Sequence, residues 1–126
     1  MESEKLKIYQ NRLKVAELIE KVITDKLSVA DALKNFPKDK NDINIKCAFD
    51  ALMHREADED LRKKVKGYKE VQDDYLIEIA NILKENQQLP KNIILKYLKY
   101  HNQDLISPDK NDFKNTINKL KRMINL

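Results

Sequence analysis

A single glycine, Gly67, punctuates 126 residues, and three prolines are the other strong breakers. Glycine supplies the positive-φ corners of tight hairpins and of loops that approach phosphate closely. A chain with one of them is poorly supplied for a sandwich or barrel of short strands. It also lacks the glycines that a P-loop, a dinucleotide fingerprint or a G-x-S-x-G nucleophile elbow requires.

The apolar residues carry the opposite message. Leu6, Tyr9, Leu13, Ala16, Ile19, Ile23 and Leu27 step by three and four, the helical period. A second set, Ile8, Val15, Leu18 and Val22, widens the apolar arc of this first helix. Ser28 three residues before Asp31 forms a cap for a short helix that Pro37 ends, and Asp42 is placed to cap the next, which runs through Ile43, Phe49, Leu52, Met53 and Ala57. Acids at Asp58, Glu59 and Asp60, followed by Arg62, Lys63, Lys64 and Lys66, favour a helix restart over one continuous helix across residues 43–66. Tyr68, Val71, Tyr75, Ile79, Ile82 and Leu83 define a further helix, and Pro90 opens one from Asn92 to His101. Ser107, Pro108 and Asp109 then start a last helix carrying Phe113, Ile117, Leu120 and Ile124.

No stretch alternates as a strand would. With 41% apolar and 37% charged residues the chain has material for a core and too much of it for a disordered tail. The expected fold is all-α: a compact, irregular bundle of five to seven helices in one domain over residues 1–126, with Leu13, Ile19, Phe49, Leu52, Tyr75, Ile79, Leu98, Phe113, Ile117 and Leu120 in its core.

Location follows from what the segments can do. No uncharged apolar run reaches bilayer length, and Met1 to Lys5 does not open a signal peptide, so a cytoplasmic protein without membrane contact is expected. The lone Cys47 forms no intramolecular disulfide and suits a reducing compartment.

Three functional readings compete. Lys46, Asp50, His54 and Asp58 lie four apart, so one helix face could carry a metal or an oriented imidazole at Asp50, His54 and Asp58; a solvated His–Asp pair is the simpler account. Asp39 to Asp50 fails as a calcium loop, since Ile43 and Asn44 occupy positions where a ligand and a glycine belong. Residues 91–126 hold 8 basic and 3 acidic side chains, and Lys91, Lys96, Lys99, Lys110, Lys114 and Lys121 with Tyr97 and Tyr100 could bind nucleic acid without reading sequence. An ordinary lysine-rich face explains the same residues. The third reading ranks first: a small, non-enzymatic protein-interaction module with no cofactor, acting as an adaptor or regulator, whose seam on helix 1 at Ile8, Val15 and Val22 serves a protein partner or a second copy in a homodimer.

Overall fold

The computed structural model describes residues 2–38 and 41–102. Six helices follow in order among them: α1 Glu2–Ile23, α2 Val29–Lys34, α3 Ile43–Ala57, α4 Glu59–Lys64, α5 Tyr68–Lys84 and α6 Lys91–Asn102. The described residues include no strand. The fold is the all-α bundle that the helical spacing predicts. The helix expected from Pro108 onward lies outside the described residues, together with the core positions Phe113, Ile117 and Leu120.

The glycine-poor sequence ends its long helices with other residues. Asp25 closes α1 at φ 61° and Asn86 closes α5 at φ 56°, left-handed positions that Asp and Asn tolerate better than most side chains. In each case the next amide reaches back five residues, Lys26 to the Lys21 carbonyl at 2.8 Å and Gln87 to the Ile82 carbonyl at 3.1 Å, which satisfies carbonyls the helix would leave open. Gly67, at φ 86°, is kept for the corner between α4 and α5.

The expected caps form. The Asp31 amide donates to Ser28 Oγ at 3.1 Å at the start of α2. Asp42 accepts from the Asn44 amide at 3.0 Å to open α3, and the same carboxylate accepts from Arg12 Nε at 2.8 Å, tying α3 to α1. The restart at Asp58 is also found: this residue ends α3, donates its amide to the His54 carbonyl at 2.9 Å, and accepts from the Arg62 amide at 3.0 Å as α4 begins. Behind them Asn44 is fully buried and accepts from the Leu89 amide at 2.8 Å, fixing the α5–α6 connection against α3.

Helix α1 packs most extensively on α5 and also touches α2 and α3. Val15, Ala16, Ile19 and Val22 meet Leu33, Leu52, Leu76, Ile79 and Leu83 in one continuous core. Ile19, Leu52 and Ile79 are buried as expected, and Phe49 and Tyr75 pack partly buried against them. Leu13 is a correction: at 37% exposure it stands on the outer side of α1. Leu98 is half-buried rather than central.

Candidate functional cleft

The inward face of α3 repeats at three and four residues, so Cys47, Asp50, His54 and Asp58 all reach one side of the helix. Opposite them α5 presents Tyr68, Val71, Gln72 and Tyr75, α6 presents Ile93, Lys96 and Tyr97, and α4 adds Asp60 and Leu61. Together these line a cleft of about 680 Å³. The cleft thus gathers Asp50, His54 and Asp58 from one sequence reading with Lys96 and Tyr97 from another.

Its polar groups mostly hold one another. His54 Nε2 lies 3.5 Å from Asp50 Oδ2. Asp58 accepts from the Tyr68 hydroxyl at 2.8 Å and from Gln72 Nε2 at 3.1 Å. Burial pushes the Tyr68 hydroxyl above its ordinary pKa, and its hydrogen bond to the Asp58 carboxylate adds to the rise. Lys96 Nζ sits 5.3 Å from the centre of the Tyr75 ring, within cation–π range. Arg55, a buried residue of the cleft lining, bonds Asp73, which Lys69 also reaches at 2.7 Å. Among the described residues no group of three or more His, Cys, Asp or Glu side chains is placed to hold a metal ion.

Cys47 is buried at the cleft wall. Burial, reinforced by the charges of Asp50 and Asp42, pushes its thiol up to about 11. Since the thiolate is the nucleophile, iodoacetamide at neutral pH is expected to alkylate Cys47 far more slowly in the native protein than in denaturant, as followed by mass spectrometry. Equal rates would show that the wall opens freely.

The helix 1 seam requires correction. Val15 is 0% and Val22 4% exposed, covered by the chain's own helices, while Ile8 is 36% exposed. The part of the apolar arc of α1 that holds Val15 and Val22 faces the chain's own α5, α2 and α3, while Leu6, Ile8 and Leu13 stay exposed. Lys91 and Lys99 are exposed on α6. Lys110, Lys114, Lys121 and the side chain of Tyr100 lie outside the described residues.

Sequence reasoning missed the α5 wall. Val71 belongs by spacing to the apolar stripe of its helix, yet it is 65% exposed, and Leu61 is 45% exposed. Periodicity marks an apolar arc without showing which edge of it a neighbour covers. None of the described helices is long and apolar enough to cross a membrane. No known protein family, curated protein or solved structure matches this chain.

Proposed function

We propose that the chain is a non-enzymatic protein-interaction module that seats a helical segment of a partner protein in the α3–α6 cleft. The observation that carries this reading is the exposure of Val71 and Leu61 on the lining of a cleft where Asp58, Tyr68 and Gln72 are engaged with each other. Apolar side chains on a concave surface gain about 25 cal/mol per Å² when covered, and an amphipathic helix laid in a groove covers them with residues one turn apart. A small polar substrate would instead need convergent donors and acceptors, whereas Asp58 and Lys96 here are turned to Tyr68, Gln72 and Tyr75. A cytosolic setting accompanies this reading, in keeping with the free thiol of Cys47.

Exposed Lys91, Lys96 and Lys99 on α6 support a second reading, phosphate contact with nucleic acid. Affinity purification from the source-cell lysate with and without nuclease separates the two. The interaction reading expects a defined protein retained after nuclease and lost from the Val71→Asp variant. Nucleic acid in the untreated sample, with its proteins lost on digestion, would displace that reading.

A further inference from the structure

We propose that Asp50, Tyr75 and Tyr97 form a cation subsite within the cleft, which takes the ammonium or guanidinium of a lysine or arginine on the partner helix in exchange for the chain's own Lys96; this inference rests on the reading of the cleft as a helix-binding groove.

The subsite already holds a cation. Lys96 Nζ lies 5.3 Å from the centre of the Tyr75 ring, and a positive charge there is attracted by the ring's quadrupole. Asp50 from α3 and Tyr97 from α6 line the same cleft. Burial raises the hydroxyls of Tyr75 and Tyr97 above their ordinary pKa, and the Asp50 charge adds to each rise, which sets that carboxylate within electrostatic reach of both side chains.

The other charges of the lining show which cation is open to exchange. Arg55 is buried and its charge is matched by Asp73. Asp58 accepts from Tyr68 and Gln72, and Arg62, outside the lining, donates to the Arg55 carbonyl and to Gln72. Asp60 is exposed. Lys96 differs from Arg55 in standing at an exposed position of α6, where a flexible aliphatic stem lets the ammonium turn out to water. Exchanging one cation for another keeps the charge balance, so the buried Asp50 is not left facing an emptied site.

Val71 and Tyr75 are four residues apart on α5, about 6 Å along the helix. A partner helix that covers Val71 with an apolar side chain therefore brings its basic side chain to Tyr75 from one turn away. Because the incoming cation displaces an equivalent one, it fixes register and specificity, while affinity comes from covering Val71 and Leu61.

The test titrates n-butylammonium chloride, the equivalent of a lysine side chain, into the full chain while tyrosine ring and backbone amide resonances are followed. The proposal expects saturable shifts at Tyr75 and Tyr97 and none at Tyr9, whose hydroxyl donates to the Lys84 carbonyl. It also expects the apparent Kd to fall several-fold in Lys96→Met, where the resident ammonium is gone. Asp50→Asn added to Lys96→Met should abolish saturation with the amide resonances of α1 and α5 in place; Tyr97→Leu, at a less buried position, should weaken the probe several-fold and stands in if Asp50→Asn disturbs the fold. Equal affinity in wild type and Lys96→Met would overturn the proposal, as would equal shifts from sodium chloride or butan-1-ol. In the nuclease-treated capture, Asp50→Asn should retain several-fold less of the protein held by the wild type, and undiminished capture would overturn the assignment of the cation to the partner. The titration contains no partner, so its failure leaves the capture reading standing, and a capture that yields no protein removes that reading without altering the titration.

Discussion

Replacing Asp73 with alanine is expected to lower the unfolding free energy by about 3 kcal/mol or more, because a buried ion pair that loses one partner leaves the other charge without compensation. Arg55 is the charge left behind. Its side chain is buried and bonds Asp73, while Lys69 shares the same carboxylate from the exposed side. Lys69→Ala removes only that exposed arm and should cost well under 1 kcal/mol. Urea melts of the three proteins check the ranking. Equal losses for Asp73→Ala and Lys69→Ala would mean that Arg55 is not held as described.

The same pair sets the response to acid. Burial alone would raise the Asp73 carboxyl, but hydrogen bonds from Lys69 and Arg55 outweigh it and hold the group below its ordinary value. Asp42 behaves alike: burial works upward, and the bonds from Arg12 and Asn44 prevail. A carboxylate whose folded pKa is depressed contributes stability that is complete above its unfolded pKa and disappears as pH falls through the folded one. The wild type should therefore lose melting temperature steeply below about pH 4, near the ordinary Asp value, and Asp73→Ala, having no such contribution left at residue 73, should lose it less steeply.

Leu52→Ala is the second large change, with an expected cost of about 2–5 kcal/mol from lost burial and the cavity that remains. Leu52 is fully buried in α3, within the core that Ile19, Leu76 and Ile79 complete. Val71→Ala, at an exposed position of α5, should stay within about 0.5 kcal/mol. Denaturant midpoints for the two variants distinguish a core shared by α1, α3 and α5 from one confined to α1 and α5; near-neutral Leu52→Ala would leave only the latter.

Local signals carried most of the fold. Ser28 and Asp42 cap helices because their side chains find amides two or three residues away, and acids at residues 58–60 mark the restart of α4 because they meet a helix N-terminus. Such chemistry is written within one turn of chain. What escaped was long-range. Val15 and Val22 looked like a seam for a partner because width of an apolar arc says nothing of how many neighbours approach it, and α5, distant in sequence, covers much of α1. Arg55 and Asp73, 18 residues apart, face each other only after α4 turns the chain. The cleft was half legible: the four-residue spacing of Asp50, His54 and Asp58 gave one wall, while Val71 and Tyr75 became the other through packing of α5 and α6 against α3.

The most direct test of the cleft as the binding surface sets two exposed apolar positions against each other in the nuclease-treated purification. Val71 lines the cleft; Leu6, 55% exposed on α1, is not among the residues that line it. The account predicts that Val71→Asp loses the partner captured by the wild type while Leu6→Asp retains it, with both variants giving wild-type circular dichroism. Capture kept by Val71→Asp and lost by Leu6→Asp would place the interaction surface on α1 and contradict the account.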